Sequence, residues 1–345
     1  AEDDKNLHFS ANNNFYYCPN EPLDTSAIPR SINNEATKPD YKSAEYTETV
    51  ARCTGNDRFD AHPQANDWYE TIKLNYGIDY CDWGGRSNHF NPIPDTWHKM
   101  TNILLFWAAK GIDGFRCDMA EMVPHEFWKY ATEKVKAQYP HIVFIGEVYD
   151  PNQYRTYIAA GFDYLYDKVG MYDCLRDVMC EHRSANDITR QWQATDDIGK
   201  HVLYFLENHD EQRIASNFFC GNMQKGIPAL IVAALFQCNP IMIYAGQEFG
   251  EKGMDGEGFS GIDGRSTIFD YWSIDAIRKG FFERSKLSAE QVQLEKEYRK
   301  ILTLCNSEKA ISNGKTFDLM YANETNDAFD SNKQFAFLRS SNNTT

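Results

Sequence analysis

Positive charge is scarce in this sequence of 345 residues. Lysine and arginine number 35 against 50 aspartates and glutamates, which gives a formal net charge of -15 at pH 7. Nucleic acids and anionic membranes bind basic surfaces, so neither is an expected partner. Hydrophobic residues make up 42% of the chain and aromatic residues 14%, which is enough for a sizeable core. Such an acidic, aromatic-rich protein is compatible with a neutral polar ligand such as a sugar.

The sequence also lacks a C-x-x-C motif, and its cysteines are odd in number. Both features argue against a zinc site and against a complete disulfide framework. Cys117 and Cys238 lie in apolar runs, which is typical of core residues. A disulfide within the group Cys18, Cys53 and Cys81 stays open, and so does the redox compartment. The nine cysteines are Cys18, Cys53, Cys81, Cys117, Cys174, Cys180, Cys220, Cys238 and Cys305.

No uninterrupted apolar run is long enough for a membrane span, which needs about 20 mostly apolar residues. The most apolar stretch is 227–245, and we interpret it as a buried helix followed by a short buried strand. Gln237, Asn239 and Pro240 interrupt it. The first residues, AEDDKNLHFS, show no basic segment followed by an apolar one, so no signal peptide is predicted there.

The chain changes character near residue 94. Residues 1–93 are rich in Asn, Asp, Tyr and Pro without a periodic apolar pattern, and we predict a loop-rich segment there. Residues 94–306 alternate between helical and strand patterns. Residues 307–345 contain two strand patterns, KTFDLMYAN and KQFAFLRSS, that predict the start of a small β domain.

Helices and strands follow one another through the middle of the chain. Helical patterns cover 94–111, 124–138, segments around 171–193, 227–238 and 288–306. The strand patterns are IDGFRCD, HIVFIGEVYD, GFDYLYD, HVLYFLENHDEQR and IMIYAGQEFGE. This order predicts parallel strands joined by crossover helices. Polar residues collect where the strands end, as at the active-site face of a (β/α)8 barrel, although a doubly wound open sheet would give the same alternation.

Three of these strand ends carry acidic side chains, Asp118, Glu147 and Asp210. Carboxylates brought together at one edge of a sheet can bind a divalent metal or share the steps of glycoside cleavage. Side chains alternate along a strand, so Arg116 points the same way as Asp118. A guanidinium there keeps the aspartate ionised and repels a cation, which favours glycoside cleavage and makes metal binding the alternative. His209, which directly precedes Asp210, is the one histidine that the sequence places at such a strand end.

Four segments resemble, in their order, motifs of the α-amylase family of retaining glycoside hydrolases. They are GFRCDMA, FIGEVYD, ENHDEQR and GQEFGE, and the resemblance extends over about residues 67–345. It implies an α/β protein with a (β/α)8 TIM-barrel fold, present here as a partial barrel of about strands 4–8. Residues 1–93 would be the remnant of a loop-rich insertion domain. Residues 94–306 would be the C-terminal part of the catalytic barrel, and 307–345 the start of a C-terminal β domain.

The resemblance also implies a role for each matched residue. Asp118 would attack the anomeric carbon, and Glu147 would protonate the leaving oxygen and later deprotonate water. Asp210 would bind sugar hydroxyls and stabilise the oxocarbenium-like state. Arg116 would orient Asp118, and His209 would hydrogen-bond the sugar. The expected substrate is a starch-like α-glucan or a maltooligosaccharide.

The chain departs from the family in two places. Glu121 and Met122 stand where many members have Lys-His, and because methionine is not a calcium ligand, the matched motif does not support a bound Ca²⁺. The family's Asp-x-x-x-Asn-His motif is absent, and five readable strands do not close an eight-stranded barrel. We therefore predict a fragment, beginning after barrel strand three and ending early in the β domain, with little or no activity alone. A periplasmic, cell-surface or secreted location is favoured over a cytoplasmic one.

Four functions stay open at this point. The first is a hydrolase of α-glucosidic bonds, with α-1,4 bonds as the expected target. The second is a transglycosylase of the same family, in which a sugar replaces water as the acceptor. The third is a non-catalytic sugar-binding relative, although the intact trio Asp118, Glu147 and Asp210 argues against it. The fourth is a metal-dependent barrel enzyme. The oligomeric state has no signature in the sequence.

Overall fold

A computed structural model describes residues 2–28, 47–81, 85–255, 261–266 and 274–341. The chain divides into two compact units. The first unit comprises Ala1–Gly114 and Val123–Ile142, and the second comprises Phe115–Met122 and Val143–Thr345. The three domains inferred from the sequence stay a prediction.

The first unit contains two short antiparallel ribbons. Strand β1 (Tyr17–Cys18) pairs with β2 (Ala51–Arg52), and β3 (Ile78–Asp79) pairs with β4 (Ser87–Asn88). Each of these strands is two residues long, and the other described residues before 94 form loops, turns and isolated bridges. This part of the unit therefore has little regular backbone hydrogen bonding to hold it.

Two helices complete the first unit. Helix α1 (Asp95–Ala108) begins directly after Pro94, as predicted, because the fixed φ of proline suits a helix entry. Helix α2 (His125–Gln138) packs against α1. The buried rings of Trp97 and Phe127 meet edge to face, with centroids 5.8 Å apart. The apolar stripes of the two helices therefore face each other.

The second unit is built on a five-stranded sheet. Its strands are β5 (Gly114–Cys117), β6 (Val143–Gly146), β7 (Tyr164–Tyr166), β8 (Val202–Phe205) and β9 (Ile241–Met242). They lie side by side in chain order, and β6, β7, β8 and β9 pair in parallel. A doubly wound sheet reverses its strand order at a switch point, whereas barrel strands follow one another. The order therefore identifies part of a (β/α)8 barrel.

The helices of the second unit follow its strands along the chain. They are α3 (Tyr154–Ala159), α4 (Asp173–Met179), α5 (Asp187–Thr195), α6 (Gly226–Leu235), α7 (Asp275–Phe281), α8 (Ala289–Ser307) and α9 (Lys309–Ser312). Ser288 is the N-cap of α8, and it forms a capping box with Gln291. Among the described helices, none has the length and apolar character that a membrane crossing needs.

A two-stranded ribbon follows the helices. Strands β10 (Lys315–Asp318) and β11 (Phe337–Ser340) pair antiparallel, which confirms both strand patterns near the end of the sequence. The buried Arg339 of β11 donates hydrogen bonds to the carbonyl oxygens of Phe236 and Ala310, each at 3.1 Å. This side chain ties the ribbon to the residues that follow α6.

Candidate active site

Strand β5 delivers Arg116 and Asp118 to the same side of the sheet. The Arg116 Nη1 donates to Asp118 Oδ1, as the alternation of side chains along a strand predicts. The Asp118 side chain is 77% exposed, so a ligand could reach its carboxylate while the arginine holds one of its oxygens. The strand itself is half-buried rather than buried, because it is the outermost strand of the described sheet.

Glu147 follows β6 and is almost fully buried, with 3% of its side chain exposed. Its Oε1 accepts a hydrogen bond from the Tyr149 hydroxyl at 2.8 Å, and its Oε2 accepts one from the backbone N–H of Met119 at 2.8 Å. Its backbone N–H donates to the Cys117 carbonyl oxygen at 3.1 Å. The carboxylate is therefore oriented by one donor from the segment after β5 and one from the segment after β6.

The Arg116 guanidinium contacts both carboxylates. Its Nη2 lies 3.1 Å from Glu147 Oε1, while Nη1 bonds Asp118. Its central carbon lies 5.5 Å from the ring centroid of Tyr166 on β7. Burial acts to lower the pKa of Arg116, but the hydrogen bonds to Asp118 and Tyr166 and the charge of Glu147 raise that pKa above its usual value. The arginine stays charged and joins an exposed carboxylate to a buried one.

The loop after β8 carries His209 and Asp210. The His209 Nε2 lies 3.1 Å from Asp210 Oδ2, and the side-chain oxygen of Asn208 accepts the backbone N–H of Asp210 at 2.9 Å. Burial raises the pKa of Asp210, and the negative charges of Glu147 and Asp118 raise it further. The charges of His209 and Arg116 oppose this increase. All the predicted site residues thus come together in the second unit, at the carboxyl ends of its strands.

A buried ion pair between Glu207 and Arg213 joins the two ends of the loop that carries His209 and Asp210. The Arg213 Nη1 donates to Glu207 Oε2 at 2.8 Å, and the backbone N–H of Ile214 donates to Glu207 Oε1 at 2.8 Å. Arg213 also donates to Ser266 Oγ at 2.9 Å and to the Ala245 carbonyl oxygen at 3.0 Å. Burial raises the pKa of Glu207, while the Arg213 charge opposes that increase. The pair fixes both ends of the segment that presents His209 and Asp210.

Glu121 and Met122 lie on a short 3-10 turn after Asp118. The Glu121 Oε2 accepts the backbone N–H groups of Tyr149 and Asp150, each at 3.0 Å. This carboxylate therefore supports the loop after Glu147. Within the part of the chain that the structure describes, the carboxylates of the site form no group of three candidate metal ligands within 4.8 Å of one another.

Three contacts of the site were missed from the sequence. Tyr149 has a signal, because it stands two residues after Glu147 and extended chain alternates its side chains. Tyr166 has none, since only the pairing of strands brings β7 beside Arg116. The Met119 N–H has no signal in the sequence either, because a backbone donor does not depend on residue type. Met119 also adopts a left-handed φ of 43°, which is strained for a side chain of its size.

Comparison with known proteins gives matches over much of the chain. The family model "Alpha amylase, catalytic domain" matches residues 92–310. Alpha-amylase 3 from Dictyoglomus thermophilum is 26% identical over 250 residues, which cover 64% of this chain and 48% of that protein. The alpha-1,4-glucan:maltose-1-phosphate maltosyltransferase from Cereibacter sphaeroides is 30% identical over 92 residues, covering 26% of this chain and 16% of that protein. The chain thus spans less than half the length of either relative.

A solved structure has the same fold. The crystal structure of alpha-amylase from H. orenii superposes with a TM-score of 0.57 at 20% sequence identity, over 76% of this chain and 55% of that one. The family match covers more than half of the chain and includes β5 to β9 with the carboxylates at their ends. The chain therefore belongs to the α-amylase family, and its five-stranded sheet is part of the (β/α)8 barrel of that family.

Proposed function

We propose that this chain carries the cleavage site of a retaining glycoside hydrolase. The substrate is a starch-like glucan or a maltooligosaccharide, and the bond cleaved is α-glucosidic, with α-1,4 linkages as the main target. One observation carries the proposal: the Arg116 guanidinium contacts both the exposed Asp118 and the buried Glu147. A retaining enzyme needs two carboxyl groups in different surroundings, about 5–5.5 Å apart.

The two carboxyl groups divide the reaction between them. In the first step Asp118 forms a bond to the anomeric carbon, the glycosidic C–O bond breaks, and Glu147 gives its proton to the departing oxygen. In the second step water attacks the anomeric carbon, Glu147 takes the proton from this water, and the bond to Asp118 breaks. The exposure of Asp118 suits the nucleophile, and the burial of Glu147 suits the acid.

Asp210 and His209 assist from the neighbouring loop. The Asp210 carboxyl binds sugar hydroxyls and stabilises the positive charge that develops on the sugar ring. His209 lies 3.1 Å from Asp210 and hydrogen-bonds the sugar at the cleaved bond. Arg116 is a positioning residue that holds the nucleophile. The Asn208 side-chain oxygen, which accepts the Asp210 N–H at 2.9 Å, fixes the backbone that presents this carboxyl.

The acid is tested with two substrates whose leaving groups differ in basicity. In the natural protein that carries this sequence, Glu147→Gln should lower kcat/KM for a maltooligosaccharide by about 10²–10⁴-fold. The same variant should lose far less activity on α-glucosyl fluoride, because fluoride departs with little protonation. Equal losses on both substrates would argue against Glu147 as the acid.

The nucleophile is tested by labelling. A fluorinated glycosyl donor that forms a slowly hydrolysed intermediate should leave one sugar on the peptide containing Asp118. Asp118→Ala should abolish both the label and turnover while starch binding persists. Asp113→Asn is the control, since that exposed carboxylate precedes the same strand and should leave activity unchanged. A label on another residue would contradict the assignment.

Transfer to a sugar acceptor is the second candidate function. It is favoured by the similarity to a protein whose name is that of a maltosyltransferase. Chromatography of products from a short donor separates the two reactions, because transfer makes oligosaccharides longer than the donor and hydrolysis makes only shorter ones. A protein that binds glucans but forms neither product would instead be a non-catalytic relative.

We also propose that the 345-residue chain has little or no activity alone. Its described sheet has five strands, and a closed barrel of this type needs eight to complete the wall of the site. Cleavage of starch by the isolated chain at the rate of a complete family enzyme would contradict this expectation.

A further inference from the structure

Three side chains that commonly bind metals meet inside the loop-rich first unit. A ring nitrogen of His8 and the sulfurs of Cys18 and Cys53 lie within 4.8 Å of one another. Among the described residues this is the one group of its kind. Cys18 and Cys53 are 3% and 0% exposed, and the proposed reaction uses none of the three. We propose that they bind a tetrahedral divalent cation of the zinc class, which stabilises the fold of this unit.

The distance between the sulfurs fits a shared ion. Cys18 Sγ and Cys53 Sγ are 3.9 Å apart. Two thiolates bound to one tetrahedral zinc ion, each with a bond of about 2.3 Å, lie about 3.8 Å apart. A disulfide would require a separation of about 2.05 Å. The separation matches a shared ion, and the His8 nitrogen beside it distinguishes this pair from Cys180 and Cys220, whose sulfurs are 4.0 Å apart.

The register of the ribbon explains why the thiols stand apart. Cys18 of β1 lies opposite Ala51 of β2, and Cys53 comes two residues later on the same face. The ladder continues to Cys53, whose N–H donates to the Tyr16 carbonyl oxygen at 3.0 Å. Cα atoms of such diagonal neighbours are about 7–8 Å apart. Disulfides usually join Cα atoms about 4.4–6.8 Å apart, so this geometry favours an intervening ion over a direct bond.

His8 is oriented as metal-bound histidines usually are. Its Nδ1 contacts the Tyr17 carbonyl oxygen. Because a carbonyl oxygen only accepts hydrogen bonds, Nδ1 carries a proton, and in the neutral imidazole Nε2 is then the nitrogen with the lone pair that a metal takes. Tyr17 precedes Cys18 in β1, so the strand that supplies one ligand also orients another.

A tetrahedral ion needs one ligand more than these three side chains supply. Cys81 is exposed and lies outside the group of three, so the fourth ligand is either a water or this thiol after a movement of its loop. The ammonium of the buried Lys73 lies over the rings of Phe59 and Tyr80 at 5.5 and 5.6 Å and pairs with Asp57 at 3.3 Å.

A metal would add stability to the loop-rich part of this unit that precedes α1. The two ribbons have strands of two residues each, and the apolar cluster around the thiols is small. Loop-rich folds of this kind are commonly held by a metal or by disulfides, and the binding free energy of a structural metal contributes directly to folding. The sequence argued against zinc because no C-x-x-C is present, but ligands from three separate segments need no such motif.

The test begins with the wild-type chain, so it does not depend on any variant folding. Metal-free protein is prepared with a chelator and a reducing agent and titrated with Co²⁺. We expect saturation at about one ion per chain, with the intense visible bands of tetrahedral cobalt and a thiolate charge-transfer band that Zn²⁺ abolishes. The weak spectrum of six-coordinate aqueous cobalt throughout the titration would overturn the proposal.

Variants then identify the ligands. Cys18→Ser, Cys53→Ser and His8→Ala should each lower the zinc retained after purification by about tenfold or more, as loss of a ligand predicts. Cys305→Ser is the matched control, because that half-buried thiol lies on α8 in the other unit. Retention of zinc by all three variants, or a Cys18–Cys53 disulfide in protein purified without chelator, would overturn the proposal.

One further variant assigns the fourth position. With Cys81→Ser, a weaker charge-transfer band assigns that position to the Cys81 thiolate, and an unchanged band assigns it to water. Either result supports the site formed by His8, Cys18 and Cys53, because the charge-transfer band of the other two thiolates should remain. Loss of the whole band in Cys81→Ser would contradict the assignment of those two thiolates as ligands.

Discussion

Removal of the Arg213 guanidinium should destabilise the second unit strongly. Arg213 is 0% exposed, and it donates to Glu207, Ser266 and the Ala245 carbonyl oxygen at 2.8, 2.9 and 3.0 Å. In Arg213→Met the Glu207 carboxylate would stay buried without its counter-charge. Breaking a buried pair by removing one partner costs about 3–5 kcal/mol. That is a large part of the free energy of unfolding of a typical domain, about 5–15 kcal/mol.

Urea unfolding of the 345-residue chain measures this loss. The control is Arg155→Met, since Arg155 pairs with Asp197 at 2.6 Å but both side chains are about half exposed. Exposed pairs contribute about 0–1 kcal/mol, so the control should stay within that range. A loss for Arg213→Met below about 1 kcal/mol, or equal to that of the control, would refute the reasoning.

Two further measurements separate the charge effect from lost packing. Burial already raises the pKa of Glu207, and loss of Arg213 should raise it further. A raised folded-state pKa means that stability falls as pH rises, so the loss should be larger at pH 8 than at pH 5. Adding Glu207→Gln to Arg213→Met should recover part of the stability, because the uncompensated charge is gone. Additive losses in the double variant would contradict the ion-pair explanation.

Two other predictions concern the site and the strand beside it. Tyr149→Phe removes the 2.8 Å hydrogen bond to Glu147 Oε1. In the natural protein that carries this sequence, this variant should lower kcat about tenfold and leave KM nearly unchanged. An equal change in kcat and KM would indicate a binding role instead. Burial raises the pKa of Asp167 to about 6 from its usual 3.8, so this carboxyl should cost the folded chain about 2 kcal/mol of stability as pH rises from 4 to 7. Asp167→Asn should remove this slope in urea unfolding, whereas the exposed Asp196→Asn should not.

Local patterns in the sequence determined the elements and the contents of the site. The period of the apolar residues predicted β5, β6, β7, β8 and β9 and most of the helices around them, although the short helices α3 and α7 were missed. The two-residue repeat of a strand also predicted that Arg116 and Asp118 share a face, and their ion pair agrees. Such features depend on neighbours in the chain, so the sequence is sufficient for them.

Contacts between distant segments were decided by the tertiary structure. The choice between a barrel and a doubly wound sheet depends on strand order, which apolar periodicity does not encode. The second partner of Arg116, Glu147, lies on the next strand, and the backbone N–H that orients Glu147 belongs to Met119. A backbone donor has no residue type, so no motif could have revealed it.

The cysteines are the clearest example of the difference between what local sequence patterns predict and what tertiary contacts decide. From the sequence, Cys18 and Cys53 were loop residues without a metal-binding motif, and His8 had no assigned part. The antiparallel register of β1 and β2 sets the two thiols on one face, 3.9 Å apart, and the Tyr17 carbonyl orients His8 beside them. The sequence by itself determined most of the barrel strands and helices and the acidic strand ends, because these follow from local periodicity. Only the tertiary structure decided which distant side chains meet, because that depends on the register and order of strands that are far apart in the chain.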